Sequence, residues 1–197
     1  TPNPSAGWPG PNTTGPNNSL MPESDKKQLT AYTGPCTITA SNTVIDSKIV
    51  NCRLSIGNNA QNVIIKNSKL NGGVYNDLDL PTPGSVTISD SEIDGQTTSQ
   101  GAVTFVNFTL IRSNVRGAQH NILCAWNCKV YDSWLHDPYL PDDAPWHNNT
   151  FISNGGHDME IVRSTLQCNT PNNDPKVGGG CSSHLSLFGD FDTNSRI

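Results

Sequence analysis

Charge is scarce in this chain. Charged residues make up 15% of 197, well under the usual ~25%. What charge there is leans acidic, with 12 Lys and Arg against 17 Asp and Glu, a net of −5. No basic stripe is available to neutralise phosphates, which argues against nucleic acid as a partner. No apolar run approaches ~20 residues, so no segment is expected to span a membrane as a helix. No CxxC pair occurs, which argues against a structural zinc site. No leader segment opens the chain, which reads as already processed.

What is abundant is asparagine, with 23 copies, and a recurring phrase. Val63-Ile64-Ile65-Lys66-Asn67-Ser68-Lys69-Leu70-Asn71-Gly72 returns as Val86-Thr87-Ile88-Ser89-Asp90-Ser91-Glu92-Ile93-Asp94-Gly95. Phe108–Gly117, Cys128–Asp137 and Met159–Cys168 are further copies, and Val44–Ile49 is an early one. The serine falls at 47, 68, 91, 113, 133 and 164, in steps of 21, 23, 22, 20 and 31. A strand-like phrase at a period near ~20 is the signature of a solenoid.

Each phrase alternates apolar and polar residues, the period of a strand. Ile65, Ile88, Leu110, Val130 and Ile161, three before the serine, should point inward. Leu70, Ile93, Val115, Leu135 and Leu166, two after it, should do the same. The serine itself is small enough to stack inside. Second strands are expected at 54–56, 103–105, 122–124, 151–152 and 185–187. Asparagine tolerates left-handed corners, so its abundance fits the turns of such a coil. These features predict an all-β, single-stranded right-handed parallel β-helix with about seven rungs of 20–23 residues. A leucine-rich repeat has a similar period but needs regular leucines and a helical half-repeat, and neither is visible. An antiparallel sandwich does not explain near-identical phrases at one period.

Residues 1–30 read as a Pro/Gly/Asn-rich extended segment, of which 1–19 is a linker or a tail lying on the solenoid, and 31–197 as the β-helix. Asp192–Ile197 looks like the start of another rung, so the chain is expected to continue or to have that end covered. Six cysteines point to an oxidising compartment and a secreted protein. Their connectivity is open from sequence. Neighbour pairing, Cys36–Cys52, Cys124–Cys128 and Cys168–Cys181, is the economical choice. The first and last would close loops worth roughly 2–3 kcal/mol each.

Equivalent residues of successive rungs should lie ~4.8 Å apart. One predicted column, just before the serine, is Asn67, Asp90, Arg112, Asp132 and Arg163, with alternating sign from Asp90 onward. As a solvated ladder it would contribute little per pair. Three after the serine comes Asn71, Asp94, Arg116, His136 and Gln167. That column sets a guanidinium suited to a carboxylate beside an imidazole suited to proton transfer. The 31-residue step carries about ten extra residues in a loop, 137–147. The loop holds Tyr139, Asp142, Asp143, Trp146 and His147. Insertions in repeat proteins often map to the binding face. Carboxylates do acid/base work on sugars, and aromatic faces pack on sugar rings.

The phrases Gly7-Trp8-Pro9-Gly10-Pro11, Tyr32-Thr33-Gly34-Pro35-Cys36-Thr37-Ile38, Val50-Asn51-Cys52, Gly179-Gly180-Cys181-Ser182 and Phe188-Gly189-Asp190-Phe191 carry a resemblance. The chain resembles the pectate-lyase-like right-handed β-helix superfamily, and is most similar to secreted actinobacterial β-helix proteins and related phage tail proteins. The resemblance implies polysaccharide as the partner. Many β-helix glycan enzymes carry a His-x-Asp-Gly phrase. Here His147-Asn148-Asn149-Thr150 looks like it, with Asn149 at the acid position and Thr150 at the glycine. Asn149 is thus either an inactivating Asp→Asn change or a binding-only residue.

The expected function is a glycoside hydrolase or polysaccharide lyase that binds a glycan beside the 137–147 loop. For hydrolysis the acid/base candidates are Asp142 or Asp143 with His147. For lyase chemistry, Arg116 would neutralise a uronate carboxylate. His136 or His147 would take the proton, and Tyr139 would protonate the leaving oxygen. Trp134, Trp146, Asn149, Arg163, His120 and His184 are candidate substrate contacts. No motif demands a cofactor, although Asp142-Asp143 with carbonyl help is a candidate Ca²⁺ site. The other expectation is a non-catalytic glycan-binding or adhesion module, such as a tail-fibre or cell-wall-recognition domain, working as a monomer or a solenoid trimer.

Overall fold

In the computed structural model, described over residues 7–189, every strand pairs parallel to its equivalents one rung away. The further rung expected at Asp192–Ile197, and residues 1–6 of the extended segment, lie outside the described residues. One stack contains seven short strands. They are β1 (Thr30–Ala31), β4 (Lys48–Val50), β7 (Lys69–Asn71), β10 (Glu92–Asp94), β12 (Asn114–Arg116), β14 (Trp134–Leu135) and β16 (Thr165–Leu166). A second stack begins with β2 (Thr37–Ile38), β5 (Leu54–Ile56) and β8 (Val74–Asn76), and a third with β3 (Val44–Asp46), β6 (Val63–Lys66) and β9 (Val86–Ser89). Both merge into the long strands β11 (Gly101–Ile111), β13 (His120–Tyr131) and β15 (His147–Val162), while β17 (Gly180–Phe188) extends the second. This is a right-handed parallel β-helix, the handedness normal for parallel crossovers. That architecture is consistent with the fold the sequence resemblance implies.

The repeat explains the core. Ile65, Ile88, Leu110 and Val130 are fully buried, as are Leu70, Ile93, Val115 and Leu135. Leu70 pairs with Ile93, Ile93 with Val115, Val115 with Leu135, and Leu135 with Leu166. The serines form a ladder of their own. Ser68 N–H donates to Ser91 Oγ at 3.1 Å, Ser113 N–H to Ser133 Oγ at 3.1 Å, and Ser133 N–H to Ser164 Oγ at 3.2 Å. Ser91, Ser133 and Ser164 each thus satisfy an N–H at a corner that has left the strand ladder.

The early copy is out of register by one. Lys48, not Ser47, donates its N–H to Ser68 Oγ, and Val50, not Ile49, pairs with Leu70. Ser47 instead joins the corner column of Asn67, Asp90, Arg112, Asp132 and Arg163, all with φ between 46° and 57°. A second left-handed column, Asn107, Asn127 and Asp158, turns the long strands, and Asn127 Nδ2 donates to Asn107 Oδ1 at 2.9 Å. Asparagine is here because it tolerates that conformation and can bond to its neighbour.

The first corner column pairs across rungs, and its acids are buried rather than solvated. Arg112 forms two bonds of 2.7 Å with Asp90, and Arg163 bonds Asp132. The segment 7–19 lies over them. Asn17 N–H donates to Asn67 Oδ1, Asn18 Nδ2 to Asp90 Oδ1, Gly15 N–H to the Arg112 carbonyl, and Arg163 Nη1 to the Gly7 carbonyl. Under this strap Asp90 and Asp132 are buried. The cysteines pair as Cys36–Cys52, Cys124–Cys128 and Cys168–Cys181.

Candidate functional site

The outward side of the seven-strand stack carries two neighbouring columns. One is Lys69, Glu92, Asn114, Trp134 and Thr165; the other is Asn71, Asp94, Arg116 and His136. Arg116 sits at their centre. Its Nη2 is 3.2 Å from Glu92 and 2.9 Å from Asp94, and Lys69 reaches Glu92 at 3.1 Å. Burial pushes the Glu92 carboxyl up, but Lys69 and Arg116 outweigh it and hold the group below the usual carboxylate range.

His136 lies one rung further along, stacked on Trp134 with centroids 3.5 Å apart. Its Nδ1 meets Asp137 at 2.6 Å and its Nε2 meets Asn114 at 2.7 Å. Burial pulls this imidazole below its usual value, against the raising pull of Asp137. Asp137 is raised by burial, yet His136 and Asn169 bring it down overall. Trp134 is oriented by Gln167, which accepts from Nε1 at 2.7 Å.

The insertion stands beside this face. Three residues separate Arg116 from His120, whereas twelve separate His136 from Asn149. Tyr139 N–H donates to the Ala118 carbonyl, and Asn148 Nδ2 to the Tyr139 carbonyl, which tie the loop to the coil. Tyr139 packs edge-on against Trp146 at 6.1 Å. Asp142, Asp143 and His147 are exposed. A second long connection, between Leu166 and Gly180, lies on the first. Asn173 Nδ2 donates to the Pro141 and Ala144 carbonyls, and Thr170 Oγ1 to that of Pro138. His147 borders a hollow of about 300 Å³ that this second loop lines with Asn172, Asn173 and Pro175. No group of three or more His, Cys, Asp or Glu is placed to hold a metal among the described residues.

The candidates therefore divide into four sets. Arg116, Trp134 and His136 share the face. Tyr139, Asp142, Asp143, Trp146 and His147 occupy the loop. His120 and Asn149 pair on β13 and β15, and His184 sits on β17, one residue from Ser183, which pairs with Asn149. Arg163 stands apart, under the N-terminal strap.

Asn149 is buried, and an amide suits its surroundings. Its Oδ1 accepts from Ser186 Oγ at 2.6 Å and Ser183 Oγ at 3.0 Å, and its Nδ2 donates to the His147 carbonyl at 3.2 Å. His120 Nδ1 is 3.4 Å from the same Nδ2. An aspartate would set an anionic oxygen against the His147 carbonyl. Burial lowers His120 to about 4, so it is neutral at ordinary pH and can accept. His184 Nδ1 accepts the Cys168 N–H at 2.8 Å.

Glu92, Lys69 and Asn114 were not among the sequence candidates. The same alignment, read one position after the serine, would have found them. Comparison with protein-family models, with curated proteins and with solved structures finds no match.

Proposed function

We propose that this is a secreted polysaccharide-binding protein. A glycan would lie along the outward face of β7, β10, β12 and β14, beside the 137–147 loop. The observation that carries this reading is the pair of columns on that face. They put a guanidinium, carboxylates, amides and the Trp134 ring about one rung step, ~4.8 Å, apart. Repeated polar groups with an aromatic face suit a chain of sugar rings. Three disulfides fit an oxidising extracellular setting.

Binding without turnover is the better-supported form. Glu92 and Asp137 are held ionised, and both His136 nitrogens are engaged. A general acid needs the opposite, a carboxyl pushed up. The second reading is lyase chemistry, favoured by Arg116 lying next to a neutral His136.

The test is a panel of neutral and acidic polysaccharides, with and without Ca²⁺. Affinity, reducing ends and unsaturated-product absorbance are followed together. Binding without new ends is expected, weakened at least tenfold by Arg116→Ala or Trp134→Ala. Unsaturated product would select the lyase. Affinity unaltered by both substitutions would remove this face from the account.

A further inference from the structure

A second site lies on the opposite corner of the coil, where the second and third strand stacks meet. Between Phe105 and Val106 on β11 no residue intervenes. Between their partners on β13, Cys124 and Trp126, there is one. Between the next partners, Ser153 and His157 on β15, there are three. Two residues of the long 31-residue step are thus spent at this corner rather than in the 137–147 loop. From β11 through β13 to β15 the corner widens rung by rung, as successive bulges do.

The widening opens a cavity of about 560 Å³. That is within the range of small-molecule sites. Leu78, Phe105, Leu123 and Trp126 form its apolar walls, and Asn154 and His157 supply its polar side chains. The Cys124–Cys128 bond closes a three-residue arch that presents Trp126. Gly156 passes so close to the Ala125 carbonyl that no Cβ could be accommodated there. Trp126 and His157 lie parallel to within 10°, with centroids 6.2 Å apart.

The lining decides the class of ligand. A sugar ring carries hydroxyls around its whole edge, and apolar walls would strip their water without replacement. A flat aromatic molecule loses nothing by that exchange. His157 Nδ1 lies 2.8 Å from Asp158 Oδ2. With the proton on Nδ1, Nε2 is left as an acceptor. We propose that this cleft binds a small aromatic molecule bearing one hydroxyl or ring N–H donor, which His157 accepts. The site is separate from the glycan face and does not depend on it.

The probe is 2-naphthol, titrated against the intact, disulfide-bonded protein by equilibrium dialysis. One-to-one binding is expected, with 2-methoxynaphthalene, which lacks the donor, several-fold weaker. Trp126→Ala should weaken 2-naphthol at least tenfold. Trp126→Phe, which keeps an aromatic wall, should weaken it less and guards against a folding defect. His157→Phe should erase the difference between the two probes. Equal affinity for 2-naphthol in wild type and both Trp126 variants would overturn the proposal. So would displacement of 2-naphthol by an oligosaccharide at matched concentration.

Discussion

The early and late rungs are built from the same phrase but do different things with it. From Val44 to Asp94 the strands are three or four residues long. In the late half the strands reach 12 and 16 residues. Two long connections stack beside one face, and a corner bulges open on another. The coil is a scaffold where the period holds; the cleft lies where it breaks, and the glycan face runs from regular rungs up to the break. A rung that pairs on both sides tolerates extra residues only at its corners, because a slip inside a strand would turn core residues outward.

Four experiments break or sharpen that contrast. The largest effect is expected in the core of the regular half. Leu70→Ala, at a fully buried position, should destabilise by about 2–5 kcal/mol in denaturant unfolding. Leu166→Ala, its half-buried counterpart in the late half, should cost clearly less. Equal losses would mean that the late rungs are packed as tightly as the early ones.

Next comes pH. His120 has a folded value of about 4 against an unfolded value near 6.5. The unfolded chain therefore binds the proton first. Stability is complete above pH ~6.5, falls as pH drops toward ~4, and levels below it, a loss on the order of 3 kcal/mol. His120→Gln should flatten that part of the stability–pH curve. A curve of unchanged slope would show that His120 is not held neutral.

The serine ladder gives a middle-sized effect. Ser91→Ala leaves the buried Ser68 N–H without its acceptor and should cost about 1–3 kcal/mol, measured by thermal unfolding. The smallest effect belongs to the loop. Asp142→Ala and Asp143→Ala, both exposed, should change stability by less than ~0.5 kcal/mol. A large loss from either would mean that the insertion supports the coil rather than standing on it.

The fold was legible because a parallel coil repeats its environment. Ile65, Ile88 and Leu110 meet the same neighbours, so the phrase betrays the stack. The alignment placed Asp94, Arg116 and His136 on neighbouring rungs for the same reason. It slipped at Ser47, where a serine stands in a left-handed corner that Asn67 occupies one rung on. It treated Asp90 and Asp132 as solvated because the composition of 1–19 allows a tail on the coil but nothing in the repeat shows that it lies over this column. The second cleft was hidden more deeply. A 31-residue step gives the number of extra residues and not their division between two corners. The side-chain partners of Asn149 were equally out of reach, since Ser183 and Ser186 come from the next rung and only the register brings them there.

The central claim is that a glycan lies along the seven-strand face from β7 to β14, beside the 137–147 loop. Hydrogen–deuterium exchange with and without a bound polysaccharide tests it most directly. Protection concentrated at 69–71, 92–94, 114–116 and 134–147, with 44–67 unchanged, is the predicted map. Protection spread over 44–67, or confined to the strap at 7–19, would contradict it.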